Sequence, residues 1–478
     1  MNHNNTNMVL AMVIFVISGV ITPAVFSADQ SMQVAFPFRQ DPAIGDTALW
    51  PDRADLANTL DQRAHFYWSR RQYPQAEMFY KQALKLRQET LGPKHPDVAS
   101  SFNSLAVVYH DQHKYAQAEP LYKQALTIRQ KILGPEHPDL ASSLNNLAVV
   151  YHDQHKYAQA EALYKRAAAI REKALGPDDL DFAASLNDLA GLCDDRGKRE
   201  QAEALFERAL AIRQRALGPD HPDVAATLRD LGWVYLRQGK YAQAESPCRR
   251  ALAIQEKCLG PDHPDVATNL DVLGELYRRQ IKYSQAEPFF SRALAIREKA
   301  FGPEHVDVAK DVCILAKLYH RQGLYSQAEP LYKRAVAVTE KINGPQNRDL
   351  AYMLNDLGEL FHDQGKYAEA ELFYKRALSI REKQFRSTEV IASPNDLAGL
   401  YDYQGKYAQS EALYRRALAT GEKAFGTVHP DMAITLENYA ELLDKRNRLS
   451  EARSLKARAQ VIRAKLRRPA ARARIETQ

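Results

Sequence analysis

The stretch DVASSFNSLAVVYHDQHKYAQAEPLYKQALTIRQKILGPE, Asp97 to Glu136, decides the fold. Its first half carries Val98, Phe102, Leu105, Ala106 and Tyr109 at three- and four-residue spacing, the apolar stripe of an amphipathic helix. His113-Lys114 ends that helix; elsewhere the same turn carries Gly239, Gly323, Gly365 or Gly405, suited to a left-handed cap. A second stripe runs through Tyr115, Ala118, Leu121, Tyr122, Ala125, Leu126 and Ile128. It closes at Gly134, after which Pro135 cannot continue the helix. His-Pro-Asp then restarts the pattern, since Pro at the first helical position and Asp in the first turn both favour a helix start.

This unit recurs along the chain. Gly-Pro-x-His-Pro-Asp begins at Gly92, Gly134, Gly218 and Gly260, with variants at Gly176, Gly302 and Gly344, a step of 42 residues throughout. The acidic residue closing each loop keeps that step through Asp55, Asp97, Asp139, Asp181, Asp223, Asp265, Asp307 and Asp349. Glu389 follows after 40 residues and Asp431 after 42 more, giving ten units from Asp55 to about Leu466. Such a period is the mark of a helical array. One hairpin cannot bury its own apolar face, whereas ten in series bury theirs against one another. Ala106, Ala118 and Ala125 let the helices approach, and Tyr109 and Tyr122 fill the spaces between. The expected organisation is residues 1–28 as a signal peptide or N-terminal anchor, 29–54 as linker, 55–468 as ten tandem repeats and 469–478 as a basic disordered tail. Pro120, Pro288 and Pro330 predict a loosened first turn in their second helices. In the ninth unit the shortened loop and Pro394 predict a first helix that starts late.

Leu105-Ala106-x-x-Tyr109, followed by Ala118, Tyr122 and Ala125, matches the tetratricopeptide spacing position for position. The longer 42-residue unit, with Leu-Asn-Asn-Leu-Ala (Leu144 to Ala148) and Gln-Gly-Lys-Tyr (Gln364 to Tyr367), resembles the repeat of kinesin light chains. The resemblance covers Asp55 to about Leu466. It implies an all-α fold, a right-handed superhelical solenoid of stacked helix-turn-helix repeats. It also implies a non-catalytic scaffold for a peptide or protein partner, with the first helix of each unit lining the concave groove. Residues 29–54 hold no heptad segment through which a light chain would join its motor, so a bacterial exported relative is the better reading.

Two features of the first helices nominate the groove. Two residues before the Leu-Ala pair stand Asn103, Asn145, Asn187, Arg229, Asp271, Asn355 and Asn395, with Cys313 interrupting. Asparagine offers both donor and acceptor, so such a row suits an extended peptide backbone; the plain alternative is a set of exposed polar positions. Near the helix ends, Asp111, Asp153, Asp194 and Asp195 give way to Arg237, Arg278, Arg279, Lys317 and Arg321. The basic residues suit a helix C-terminus, and the aspartates do not. The contrast predicts an acidic N-terminal third and a basic middle, selecting a peptide of opposite charge order.

Other chemistry finds little footing. His-Pro-Asp is the tripeptide of J-domain cochaperones, but its recurrence at His95, His137, His221, His263 and His429 makes it a helix-start device. His110-Asp111-x-His113 and its copy at His152 lack the further ligands that a metal centre needs. There is no phosphate-binding glycine loop and no nucleophile motif, so neither a cofactor nor a small-molecule substrate is indicated. Cys193, Cys248, Cys258 and Cys313 read as isolated substitutions, with an inter-repeat disulfide as the alternative. The net charge of +6 over 478 residues is mild and points to neither nucleic acid nor an anionic membrane. The competing reading lies in the tail, where Arg463, Lys465, Arg467, Arg468, Arg472 and Arg474 cluster. Such a tail could meet phosphate-rich surfaces, and self-association through the groove also stays open. Met8 to Phe26 is almost wholly apolar, which predicts export with cleavage near Ser27-Ala28, or an uncleaved single-span anchor.

Overall fold

The structure, a computed structural model, describes residues 53–384 and 392–475. The expected leader, and the linker up to position 52, lie outside the described residues. Those described form twenty helices and no strand, in two compact units that divide after Pro261. The fold class is the all-α solenoid of helix-turn-helix repeats that the period predicts.

Unit 1 stacks five hairpins. They are α1 (Arg53–Ser69) with α2 (Tyr73–Leu91), α3 (Pro96–Asp111) with α4 (Tyr115–Leu133), and α5 (Pro138–Asp153) with α6 (Tyr157–Leu175). Next come α7 (Leu180–Asp195) with α8 (Arg199–Leu217) and α9 (Pro222–Arg237) with α10 (Tyr241–Leu259). Unit 2 begins with α11 (Pro264–Arg279) and α12 (Tyr283–Phe301), then α13 (Val306–Arg321) and α14 (Tyr325–Asn343). It continues with α15 (Arg348–Asp363) and α16 (Tyr367–Gln384), α17 (Ala392–Tyr403) and α18 (Tyr407–Phe425), and α19 (Pro430–Lys445) and α20 (Leu449–Ile475).

The loop motif works as a helix cap. The Nδ1 atoms of His95, His137, His221, His263, His305 and His429 each accept the backbone N–H of the aspartate two residues on, at 3.1–3.2 Å. Asp179 and Asn347 do the same with side-chain oxygens at 2.8 Å. Each satisfies one of the donors that a helix start leaves open. At the other end of α3, Lys114 N–H reaches the Tyr109 carbonyl and His113 N–H the His110 carbonyl, both at 2.8 Å. This is the Schellman arrangement, and it puts His113 at φ 57°. Ile281, 73% exposed, occupies the corresponding position after α11 at φ 61°, a costly conformation for a β-branched side chain.

The seam between helices is built as the spacing predicts. Ala106, Ala118 and Ala125 are fully buried, and Tyr109 and Tyr122 nearly so. At Gly274, which stands where α3 has Ala106, a Cβ would lie 2.7 Å from the Phe290 ring, so the aromatic takes the room that the missing methyl leaves.

Two expectations need correction. The helices holding Pro120, Pro288 and Pro330 run unbroken from Tyr115, Tyr283 and Tyr325, and Pro247 sits inside α10 as well. Each of the first three prolines would have bonded the carbonyl of Ala116, Ser284 or Ser326, and those residues are exposed, so water can serve the freed oxygen. Likewise α20 does not stop at Pro469 but extends to Ile475, past a carbonyl on the exposed Lys465. Residues 476–478 lie outside the described residues. The described first helix of the ninth repeat is short, 12 residues from Ala392. All four cysteines are free thiols, and only Cys258 is exposed.

Candidate functional site

First helices of successive repeats lie side by side, and their polar residues meet across a sequence separation of 43. In unit 1, Trp68 donates from Nε1 to Asp111 at 2.6 Å, His110 from Nε2 to Asp153 at 2.7 Å and His152 from Nε2 to Asp195 at 2.9 Å. Arg237 then donates to Asp194 at 2.8 Å and Asp195 at 3.2 Å. The aspartates that the helix dipole disfavours are thus held by donors of a neighbouring repeat. Burial alone would lower the pKa of His110, but the carboxylates of Asp111 and Asp153 raise it to about 9.

The asparagine row is also engaged. Asn146 donates to Asn103 at 2.7 Å, Asn145 to Asp188 at 2.5 Å and Asn187 to Asp230 at 3.4 Å. Arg229 donates to its neighbour Asp230 at 2.9 Å. The amide oxygens of Asn145 and Asn187 are buried without a partner. Burial pushes Asp188 up to about 7, against the opposing charges of Arg171, Arg213 and His152.

Unit 2 departs more from the expected pattern. Asp271 accepts from Arg297 at 2.7 Å, and Arg297 also holds Asp311 at 2.6 Å. Burial, and a second carboxylate sharing one guanidinium, raise the pKa of Asp271. Arg278 and Arg279 both close onto Glu275, at 2.5 and 2.7 Å. Lys317 pairs with Asp356 at 2.7 Å, where the Cys313 thiol also approaches, at 3.7 Å. Arg321 is exposed and has no ion pair within 4 Å among the described residues. The Asn355 amide donates to Glu359 at 3.3 Å, and Asn395 donates to Thr435 at 2.7 Å. Both asparagines keep a buried amide oxygen without a donor. Burial and neighbouring carboxylates push Glu359 up to about 7, and burial pushes Asp396 up to about 6.

The nominated residues stand on first helices, and much of their polar capacity is spent on neighbouring side chains of the same helix or of the next repeat. Arg237 and Lys317 are paired with aspartates, whereas Arg278 and Arg279 share the single carboxylate of Glu275 and Arg321 has no ion pair among the described residues. The repeated His-Asp pair closes rungs of this ladder, and among the described residues no three His, Cys, Asp or Glu side chains could hold a metal ion.

Two further rows went unnoticed in the sequence. Arg87, Arg129 and Arg171 of the second helices reach Ser101, Ser143 and Ser185 of the next first helix at 2.6–2.7 Å, and Arg213 reaches Thr227 at 2.5 Å. The 42-residue step of these arginines was there to be read. Likewise Glu119 takes Lys123 at 2.7 Å from its own helix and Lys156 at 3.1 Å from the next repeat, and Glu371 takes Lys375 and Lys406 at 2.6 and 3.1 Å. Partial burial opposes ionisation, but these ammonium groups bring both glutamates down to about 2.

Comparison with known proteins agrees with this architecture. The tetratricopeptide-repeat family model matches residues 55–131, 97–173, 139–215, 181–257, 236–299, 273–335, 311–383 and 389–463. No curated protein sequence matches the chain. Among solved structures, the nearly identical TPR-like repeats of a Podosopora anserina protein assigned to the kinesin light chains align at 26% identity and TM-score 0.39. That alignment covers 44% of this chain and 99% of the other. BtubC (BKLC) from P. vanneervenii aligns at 23% identity and TM-score 0.43, covering 48% of this chain and 94% of the other. The apo form of RapI aligns at 17% identity and TM-score 0.47, covering 60% and 99%. With family matches reaching from residue 55 to 463 and breaking only at the short ninth loop, the chain belongs to the tetratricopeptide-repeat family.

Proposed function

We propose that this chain is a non-catalytic scaffold that binds a peptide or protein partner along the first-helix faces of its repeats. Proteins of this family act generally as protein-interaction scaffolds. The observation that carries the reading is the 43-residue ladder. It holds neighbouring first helices side by side, so that each helix position becomes a continuous row of side chains within a unit. Packed helices lie about 8–10 Å apart, so an extended partner advancing about 3.3 Å per residue would meet one repeat for roughly every three residues. The apolar Met8–Phe26 stretch supports an exported setting for this role, free after cleavage or held by an uncleaved N-terminal anchor.

Photo-crosslinking tests the reading. A benzophenone amino acid at position 145 or 355, on first helices, is compared in native cells with one at the exposed Lys165 or Lys375 on second helices. Adducts from the first pair are expected. Adducts from the second pair alone, or from neither, would overturn it.

A further inference from the structure

Two turns of unit 2 break the pattern of the array in the same direction. The left-handed position after each first helix holds Gly, His, Asn or Arg in the other repeats, but after α11 it holds Ile281, at φ 61° and 73% exposed. A β-branched side chain is strained by this conformation, and here no burial compensates it. At the next position most repeats carry a lysine that reaches a glutamate of the preceding repeat. Lys240 reaches Glu203 at 2.7 Å in this way, and Lys366 reaches Glu329 at 3.3 Å. Between α13 and α14 that position is Leu324, 39% exposed, and the glutamate at the matching place, Glu287, accepts the Tyr319 hydroxyl at 2.8 Å. Ile281 and Leu324 are 43 residues apart, the offset at which neighbouring first-helix ends meet, as His320 meets Asp363 at 3.0 Å. Two exposed aliphatic side chains thus stand on the turns of adjacent repeats, and neither serves the fold: one adds strain, the other forgoes an ion pair.

The same turns are basic. Segments 275–283 and 317–325 hold Arg278, Arg279, Lys282, Lys317 and Arg321 against the single acid Glu275. Lys317 is spent on Asp356, and Arg278 and Arg279 share Glu275. Arg321 is exposed and has no ion pair among the described residues. The mild net charge of the whole chain hides this local excess, because acids elsewhere in the array balance it.

We infer that these two turns form an insertion site for an anionic lipid surface. Ile281 and Leu324 enter the interface, and Arg279, Lys282 and Arg321 meet the headgroup phosphates. Two observations choose a lipid surface over a protein. The aliphatic side chains stand at the tips of turns, where a protein partner would have to supply a pocket for each, whereas the acyl boundary accepts them without one. The cations beside them are long-stemmed, so their charges reach headgroups while the turn tips go deeper. The site lies on the turns and leaves the first-helix faces free, so it stands independently of the scaffold reading.

The test mixes the full chain with vesicles of equal parts phosphatidylcholine and phosphatidylglycerol, carrying a trace of lipid with a diazirine in its acyl chain. Illumination and peptide mass spectrometry map the lipid adducts, and those on Met8–Phe26 are counted separately from those on the turns. Adducts are expected on residues 279–284 and 321–326, and about tenfold fewer there on vesicles of phosphatidylcholine alone. Ile281→Gly/Leu324→Lys installs the residues that other repeats carry. It should abolish the turn adducts while keeping an equal or higher melting midpoint by circular dichroism, which separates loss of the site from loss of the fold. Absence of turn adducts in the wild type would overturn the inference, as would equal yields on neutral and anionic vesicles, a contrast that needs no mutation. Undiminished adducts in the double variant would overturn it too. A benzophenone amino acid at position 280 in native cells extends the test. Adducts there with lipid support the site, whereas adducts with protein alone, a second copy of this chain included, would refute it.

Discussion

Asp188→Asn is the sharpest probe of how the first helices carry charge. The carboxylate of Asp188 is buried on α7, accepts the Asn145 amide at 2.5 Å, and has Arg171, Arg213 and His152 as nearby charges. Its pKa rises from 3.8 to about 7, a difference of about 3 units. At about 1.4 kcal/mol per unit, the ionised group costs the folded state about 4 kcal/mol well above pH 7. The direction follows from the raised folded-state value. The native state holds its proton where the unfolded state has lost it, so wild-type stability falls as pH rises from about 4 through 7. Asparagine keeps the acceptor for Asn145 but adds a buried NH2, worth about 1–3 kcal/mol if unpaired. The variant should therefore be slightly less stable than wild type at pH 4 and more stable at pH 8.5. The swing of about 4 kcal/mol corresponds to roughly 8 °C or more in relative melting midpoint for a unit of this size. Thermal melts by circular dichroism at the two pH values measure it. If the variant is destabilised equally at both, the neighbouring guanidinium groups of Arg171 and Arg213 outweigh burial and the reasoning is wrong.

Three other substitutions or conditions probe separate layers of the fold. Ala118→Glu places a charge at a fully buried seam position and should cost at least about 3 kcal/mol, seen as loss of hydrogen-exchange protection in α3 and α4. Ile281→Gly should stabilise unit 2 by roughly 1 kcal/mol, because φ 61° is strained for isoleucine while the exposed side chain gives up little burial; a lower urea midpoint would contradict this. Glu119 and Glu371 are held near 2, below their ordinary 4.5, so the stability they contribute is present above about pH 4.5 and lost as pH falls toward 2. Replacing both by Gln should flatten that acid limb of the melting curve, and an unchanged limb would show that the lysine clamps contribute nothing.

Much of the fold was legible because its signals repeat. His-Pro-Asp caps and left-handed turns act within a few residues, and alanine seams join the two helices of one unit, so a 42-residue comparison exposes them directly. The candidate site was less legible. The row Asn103, Asn145 and Asn187 is visible as a column in the period, but its partners sit one position further on in the next copy. A period shows which residues are equivalent, not which face one another. For the same reason Arg237 read as a groove cation, whereas it spends its charge on Asp194 and Asp195. The proline-containing helices misled for a different reason, because the cost of a lost N–H depends on whether water reaches the freed carbonyl.

The ladder also makes the array a text that can be edited by whole lines. Excision of residues 97–138, one period, would bring Trp68 opposite Asp153 in place of Asp111, Glu77 opposite Tyr151 in place of Tyr109, and Arg87 opposite Ser143 in place of Ser101. In these three pairs donor and acceptor would keep their kinds, so these contacts would re-form across the junction. Length in this molecule can therefore vary by whole copies, and the number of rows offered to a partner can change without redesign of the contacts that join them.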